Sequence, residues 1–490
     1  MSEKKFVLVP QNDFHWNRVK DYMEVIPDSD YDQAPMQARE AFRDIKYGVR
    51  VHWGLYSQWR LPGESWPFLK MTNEKRQTYQ ELYREFNPSQ FDADNWMGFF
   101  KRAGFKVFTI TAKHHEGFSL FDTKTTVKRR VNWIADGGPQ IEDCNLSYSV
   151  MDSPLKRDII QELCDSAREH DIKIDLYFSH PDWYDADFRP YAMHPLTVPE
   201  ASSIIPMDEY EEMHLFYGEQ AQVVMPNPTK EERLRMIMRH REQLVELLTN
   251  YGTIDLVCLD QWFAEDIWEE IKKTIKIARK IQPQVMLRNR GIGNYGDYYT
   301  PEGFVPGAKE NTDMPWMVIY PLGKTFSYET EEHFKDASWI IHNLIDTVAK
   351  GGNFMIGIGP DEKGQWNSEA IRRLEEVGSW LEINGEGIYA TREWEGDLYR
   401  EGDSLRFTRS KDSKYTYIFS TALHATEIDV KSVQPQPNSK VTLLGYDKEI
   451  TWEYVEKGMQ IKVPNPNELR TKGKNTLNYA YTFRVENSLQ

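Results

Sequence analysis

Residues 251–263 read YGTIDLVCLDQWF, and this stretch decides the fold. Residues 254–259 form a short apolar run interrupted only by Asp255, a pattern typical of a strand buried on both faces. Residues 266–282 then place apolar side chains three or four positions apart, which predicts an amphipathic helix. A buried strand, a short loop and an amphipathic helix together form the repeating unit of parallel α/β proteins.

Asp260 stands at the carboxyl end of this strand. In parallel α/β architectures the chemistry gathers at the carboxyl ends of strands, so a carboxylate there can meet a ligand. The alternative is that Asp260 caps the next helix, although Asp266 lies nearer the start of that helix and is the better cap. We interpret Asp260 as the candidate catalytic carboxylate.

The same alternation of strands and helices extends to about residue 390, with polar and aromatic residues at the strand ends. Among the helices, one is expected to begin at Ser153 and Pro154, an N-cap and first-turn pair. The pattern predicts an α/β fold, a (β/α)8-like, TIM-type barrel that can be irregular, over residues 36–392. Short β-rich runs such as SLRFTRS and YTYIFST predict a C-terminal antiparallel β-sandwich over residues 393–490. Residues 1–35 are polar and contain prolines, which indicates an N-terminal arm.

Composition limits the partners of the chain. Its 60 basic and 76 acidic residues give a formal charge of −16, which argues against nucleic acid or an anionic membrane. The three cysteines are widely spaced, which argues against a disulfide framework or a zinc site.

No apolar run reaches the roughly 20 residues that span a bilayer, and the N-terminal apolar patch is too short for a signal peptide. We expect a cytoplasmic protein, or a periplasmic or secreted one if the sequence was trimmed; assembly into a homo-oligomer stays open.

Other strand ends carry candidate binding residues. His52 follows the first predicted strand, and the Gly- and Pro-rich loop after it holds Glu64 and Trp66, a setting typical of ligand-binding loops. His114 and His115 follow the second strand and could bind a metal ion, but consecutive side chains diverge and no third ligand lies at helical spacing. Because imidazole can both donate and accept, recognition of sugar hydroxyls is the better interpretation, and we expect no metal and no cofactor.

Several motifs together resemble glycoside hydrolase family 29, the retaining α-L-fucosidases. They are HWGLYS from His52, AKHHEGF from Ala112, YFSHPDW from Tyr177, the strand to Asp260, LIDTVAKGGNFMIGIGP from Leu344 and NGEGIYATREW from Asn384. The resemblance covers roughly residues 40–395 in the expected order. It implies a (β/α) barrel with a C-terminal β-sandwich, and metal-independent hydrolysis of a terminal α-L-fucosyl residue.

The resemblance also implies roles for individual residues. Asp260 matches the nucleophile. The residues that match or resemble groups holding the sugar are His52, Glu64, Trp66, His114, His115, Tyr177 and Arg290.

Two positions depart from the family pattern. The nucleophile is followed by Gln261, where the family usually has glycine, and the usual Trp-Glu pair is Trp316-Met317, which removes a carboxylate that some members use as the acid/base. We assign the acid/base to Glu302, which lies in a T-P-E stretch resembling that of part of the family. The flanking aromatic residues Tyr298, Tyr299 and Phe304 could raise its pKa by desolvation; Glu310 is the alternative.

The leading hypothesis is therefore an exo-acting, retaining α-L-fucosidase that acts on an oligosaccharide or glycoconjugate. One alternative is an exo-α-L-galactosidase in the same scaffold, because L-galactose differs from L-fucose only by a hydroxyl on C6. A hydrophobic wall rejects an added hydroxyl by only about 10²-fold in comparable cases. The other alternative is a sugar-binding protein that has lost hydrolysis, a hypothesis based on Gln261 and Met317.

Overall fold

The computed structural model describes residues 24–189, 191, 194–197, 228–263, 265–305, 314–328, 334–394, 398–423, 425–465 and 479–486. Within these ranges the centre of the molecule is a seven-stranded parallel sheet. Its strands are β1 (Tyr47–Val51), β2 (Val107–Lys113), β5 (Lys173–Ser179), β6 (Leu256–Asp260), β7 (Met286–Leu287), β8 (Met317–Pro321) and β9 (Asn353–Ile358). The strand order is β7-β6-β5-β2-β1-β9-β8.

Residues 298–302 connect the two edges of this sheet. Tyr298 bridges to Arg288 just beyond β7, and Tyr299 and Glu302 bridge to Trp316 and Ile319 at β8, all in parallel orientation. The segment therefore takes the place of an eighth strand and closes the barrel. The prediction of an irregular (β/α)8-like barrel is confirmed, and the irregular position is the one that carries Glu302.

In the described ranges eight helices accompany the strands, and most of them bury an apolar face. They are α1 (Met36–Ile45), α2 (Asn73–Gln80), α3 (Ala93–Arg102), α4 (Ile159–Glu169), α5 (Lys230–Thr249), α6 (Trp268–Ile281), α7 (Ala337–Ala349) and α8 (Ser368–Asn384). Thr229 and Glu232 form a capping box at the start of α5. Asp336 caps α7 by accepting a hydrogen bond of 2.7 Å from the Trp339 amide.

Two expected helix caps are wrong. Helix α4 begins later than expected, at Ile159, and its N-cap is Asp158 rather than Ser153. Helix α6 follows Ile267 without a side-chain cap. The Asp266 carboxylate instead accepts hydrogen bonds from the Tyr191 hydroxyl at 2.9 Å and from Arg233.

Additional antiparallel strands accompany the barrel. A hairpin of β3 (Val127–Asn132) and β4 (Gln140–Leu146) lies between β2 and α4. Beyond α8 the strands are β10 (Arg392–Glu393), β11 (Arg400–Glu401), β12 (Leu405–Arg409), β13 (Tyr415–Ser420), β14 (Glu427–Val430), β15 (Val441–Leu443), β16 (Trp452–Tyr454), β17 (Met459–Lys462) and β18 (Tyr481–Glu486). They form one six-stranded and one three-stranded sheet around a separate apolar core, as expected for a β-sandwich.

The barrel interior changes from apolar to polar along its axis. Near the amino-terminal ends of the strands an apolar layer contains Val107, Leu256, Met286, Met317 and Met355. The arm residues that the structure describes pack beside the loop after β7, where the Tyr31 hydroxyl donates a 2.6 Å hydrogen bond to the Tyr295 carbonyl. The next interior positions are charged or polar and lead to the strand ends that carry the candidate site. No helix in the described part of the chain is long and apolar enough to cross a membrane.

Candidate active site

The carboxyl ends of four neighbouring strands bring the predicted residues together. His52 follows β1, His114 and His115 follow β2, Tyr177 lies near the end of β5, and Asp260 ends β6. The His114 and Tyr177 rings stack with centroids 5.4 Å apart, and His52 lies 5.8 Å from His114 and 5.9 Å from Tyr177. All five side chains are buried, and together they line one side of the candidate site.

Asp260 is held by hydrogen bonds to both carboxylate oxygens. Tyr177 donates its hydroxyl to Oδ2 at 2.6 Å, and Arg290 donates Nη1 to Oδ1 at 2.7 Å. Arg288 Nη1 lies 3.4 Å from the same Oδ1, and His115 Nε2 lies 3.8 Å from Oδ2. These contacts fix the orientation of the carboxylate, so a capping role is excluded by geometry.

The surroundings of Asp260 keep it ionised. Burial alone would raise the pKa of this carboxyl, but the Arg290 and Arg288 guanidinium groups hold it well below its ordinary value. The Tyr177 hydrogen bond acts in the same direction. At neutral pH the group is an oriented carboxylate, as a nucleophile requires.

Glu302 and Asp260 contact the same two arginines, Arg288 and Arg290. Glu302 Oε1 accepts from Arg290 Nη2 at 2.7 Å and from Arg288 Nη2 at 3.0 Å. The side chain of Glu302 is 32% exposed, so it faces the open side of the site. Because neighbouring nitrogens of one guanidinium bind the two carboxylates, they stand side by side. This arrangement fits the shorter carboxyl separation, about 5–5.5 Å, used in retaining glycoside hydrolysis.

The prediction that aromatic neighbours raise the pKa of Glu302 is wrong. Tyr298 and Tyr299 are buried as expected, but Phe304 is 59% exposed. Burial does favour the protonated form of Glu302, but the Arg290 and Arg288 charges outweigh it and lower the pKa. Glu302 is therefore a carboxylate in this state of the molecule. The alternative acid/base, Glu310, lies outside the described residues.

Burial keeps His52 and His115 neutral, and hydrogen bonds orient His114 and His115. Burial holds the pKa values of His52 and His115 well below their ordinary value. His115 Nδ1 lies 2.6 Å from the Ser179 hydroxyl, and His114 Nδ1 contacts the Ser65 hydroxyl. An imidazole with one nitrogen engaged in a hydrogen bond can present the other nitrogen to a sugar hydroxyl. Among the described residues no group of three or more His, Cys, Asp or Glu side chains is arranged to hold a metal ion.

Glu64 and Trp66 line the first loop of the site. The Glu64 carboxylate accepts a 2.9 Å hydrogen bond from the Phe326 amide, and burial raises its pKa to about 7. Trp66 packs edge-on against His115 and Trp183, at 4.9 and 5.6 Å between ring centroids. The loop is thereby tied to the ends of β2 and β5.

The sequence did not indicate a role for Arg288, and it showed that Gln261 is unusual without showing why. Arg288 reaches both carboxylates, but a lone arginine two positions before Arg290 carries no motif. Gln261 adopts φ 65°, in the left-handed region that favours glycine. The usual glycine after the nucleophile thus has a backbone reason, and Gln261 meets that geometry at a cost of roughly 1–2 kcal/mol.

The chain is similar in sequence to known proteins. The chain is 27% identical over 458 residues to the tissue alpha-L-fucosidase of Homo sapiens, covering 86% of this chain and 84% of that protein. The tissue alpha-L-fucosidase of Rattus norvegicus is 26% identical over 434 residues, covering 84% of this chain and 82% of the relative. Both alignments extend well beyond the barrel strands that form the site.

Solved structures show the same architecture. Alpha-L-fucosidase isoenzyme 1 from Paenibacillus thiaminolyticus superposes with a TM-score of 0.71 at 24% identity, covering 92% of this chain and 99% of that one. A GH29 alpha-L-fucosidase from Bacteroides thetaiotaomicron, solved as a trapped covalent intermediate, gives a TM-score of 0.69 at 21% identity, covering 94% and 99%. The alpha-L-fucosidase family matches residues 19–386. The chain belongs to the alpha-L-fucosidase family of glycoside hydrolases.

Proposed function

We propose that this protein is an exo-acting α-L-fucosidase that removes terminal α-L-fucosyl residues from oligosaccharides or glycoconjugates with retention of configuration. The observation that carries the proposal is the placement of Asp260 and Glu302 on neighbouring nitrogens of Arg290, 2.7 Å from each carboxylate. A double displacement requires two adjacent carboxyl groups, one as the nucleophile and one as the acid/base. Their presence also argues against a sugar-binding protein that has lost hydrolysis, since Met317 is not the only place for an acid/base.

In the first step Asp260 attacks the anomeric carbon and a protonated Glu302 gives its proton to the leaving oxygen. In the second step Glu302, now ionised, takes a proton from water, and the hydroxide formed displaces Asp260 from the sugar. Tyr177 and Arg290 orient Asp260 for the attack. We assign the hydrogen bonds with the sugar hydroxyls to the polar side chains around Asp260, which are His52, Glu64, His114, His115 and Arg290. Trp66 supplies an apolar surface beside the sugar.

The test compares an aryl α-L-fucoside with the matching α-L-galactoside. Faster cleavage of the fucoside supports the proposal. Faster cleavage of the galactoside moves the assignment to an α-L-galactosidase, and binding of fucose without cleavage of either substrate supports the sugar-binding alternative. Proton NMR of the first product gives the stereochemistry: initial α-L-fucose is expected, and initial β-L-fucose would exclude retention.

The nucleophile is tested by covalent trapping. In a 2-fluoro-fucosyl fluoride the fluorine at C2 slows both steps, but the good leaving group at C1 speeds the first step, so the glycosyl-enzyme should accumulate on the peptide that contains Asp260. Asp260→Asn should lose nearly all turnover and all labelling while keeping the circular dichroism of the wild type. Label on another carboxylate would overturn the assignment.

A further inference from the structure

Arg288 connects the two candidate carboxylates from inside the barrel. It follows β7, and its side chain is fully buried. Nη1 lies 3.2 Å from Cys258 Sγ and 3.4 Å from Asp260 Oδ1, and Nη2 lies 3.0 Å from Glu302 Oε1. Nothing in the reaction as written above requires a second guanidinium at this place, because Arg290 already touches both carboxylates.

We propose that Arg288 is a positioning residue that holds Glu302 beside Asp260 and stabilises the ionised form of Glu302. Arg288 thereby favours the second step, in which Glu302 acts as a base, over the first step, in which Glu302 acts as an acid. The inference rests on the proposed function of the same site. It concerns the balance between the two steps and not the identity of the sugar.

The contact geometry supports this role. A guanidinium carries a positive charge and donors but no acceptor, so it stabilises the ionised carboxylate more than the neutral carboxylic acid, whose hydroxyl proton it cannot accept. Arg288 has 0% side-chain exposure, so water screens its charge little. Glu302 is a third exposed, so its proton can exchange with solvent or with a leaving group.

Other charged groups act on Glu302 beside Arg288. Arg290, on the same segment, also stabilises the carboxylate, and Asp260 on β6 opposes it. Arg50 on β1 adds positive charge from farther away, and Glu64 in the loop after β1 adds negative charge when ionised. On the side of β8, Glu302 pairs with Ile319, which carries no charge.

Formation of the glycosyl-enzyme strengthens the effect. The ester at Asp260 carries no charge, so the repulsion between Asp260 and Glu302 disappears. The two arginines then have Glu302 as their remaining carboxylate partner in direct contact. Arg288 therefore favours the second step at the expense of the first, which depends on a protonated Glu302.

Two variants separate this role from a merely structural one. Arg288→Met removes the charge at similar length, and Arg288→Lys keeps a charge and serves as the conservative control. For a fucoside with a poor leaving group, the basic limb of the kcat/KM profile should move up by about one pH unit in Arg288→Met and by clearly less in Arg288→Lys. For a dinitrophenyl fucoside, which needs little protonation, kcat should fall in Arg288→Met because the second step is slower.

A uniform loss of rate at every pH in both variants, with the basic limb unmoved, would overturn the proposal. A direct titration keeps the test independent of activity: carbon-13 NMR of protein labelled at the glutamate carboxyls, with Glu302→Gln to assign the signal. The Glu302 signal should titrate at higher pH in Arg288→Met than in the wild type, and an unchanged titration would contradict the role of Arg288. If neither glycoside is cleaved, the proposed function fails, while this titration still decides the question about Arg288.

Discussion

The Tyr177 hydroxyl donates a hydrogen bond of 2.6 Å to Asp260 Oδ2, across the register that pairs β5 with β6. Tyr177 lies opposite Cys258 in that register, two residues before Asp260, so the hydroxyl reaches forward to the strand end. A hydrogen bond to a charged group contributes about 1.5–3 kcal/mol. The pair thus fixes one oxygen of the candidate nucleophile independently of the arginines on the other.

Tyr177→Phe should reduce kcat/KM by about 10- to 100-fold, because Asp260 loses the group that orients Oδ2. The same hydrogen bond helps to lower the pKa of Asp260, so the acidic limb of the kcat/KM profile should move to higher pH. Tyr417→Phe is a matched control, since it removes a 2.9 Å hydrogen bond from Tyr417 on β13 to Glu386, in the turn after α8. Equal activity in both variants would show that the Tyr177 contact does not orient the nucleophile.

The sequence was sufficient to predict those parts of the fold that depend on local periodicity. The buried run before Asp260 and the alternation around it predicted the parallel barrel, and polar residues at strand ends predicted where the site lies. Residues 298–302 could not be recognised as part of the barrel, because they make single bridges instead of a regular ladder. Single bridges leave no alternation in the sequence.

The charge state of the site was also beyond sequence reasoning. The aromatic neighbours of Glu302 suggested desolvation, but the two arginines that oppose it come from a segment 12 to 14 residues earlier and meet it only after folding. Arg288 follows β7 and belongs to no motif. Its contacts with both carboxylates depend on the direction of its side chain in the folded chain.

Gly291 is expected to tolerate no side chain without a loss of stability. Its φ is 73°, and an added Cβ would lie 2.6 Å from His180 Nε2 and 2.7 Å from the Gln261 carbonyl oxygen. Gly291→Ala should lower the free energy of unfolding by more than the roughly 1–2 kcal/mol of backbone strain alone, as measured by urea denaturation. Gly137→Ala is the matched control, because Gly137 has φ 85° but no atom within 4 Å of the added Cβ. Equal losses in the two variants would mean that the close contacts carry no cost.

Glu64 should make the stability of the protein depend on pH. Burial raises its pKa from 4.5 to about 7, so the folded protein binds this proton more tightly than the unfolded chain does. The resulting stabilisation is complete below pH 4.5 and is lost as the pH rises to about 7. Glu64→Gln removes this loss, so relative to the wild type it should gain up to roughly 3 kcal/mol between these two pH values. Urea denaturation at both ends of the range measures the difference, and a constant difference would contradict the assignment.

Activity should not depend on a metal ion. We assign His52, His114 and His115 to hydrogen bonds with sugar hydroxyls, so treatment with a chelator followed by dialysis should leave kcat and KM unchanged. The control is the same protein dialysed without chelator. Loss of activity that zinc restores would show that the histidines bind a metal.

The last prediction separates the two candidates for the acid/base. Glu302→Ala should nearly abolish cleavage of natural linkages, because their leaving oxygen needs a proton. Glycosyl-enzyme formation from an aryl fucoside with a good leaving group should survive, since that step needs little protonation. Azide, a nucleophile that needs no base, should then restore turnover and give the glycosyl azide. Glu310→Ala is the comparison: if it shows this pattern while Glu302→Ala behaves like the wild type, the acid/base is Glu310, and the arginine-bound Glu302 only helps to hold Asp260.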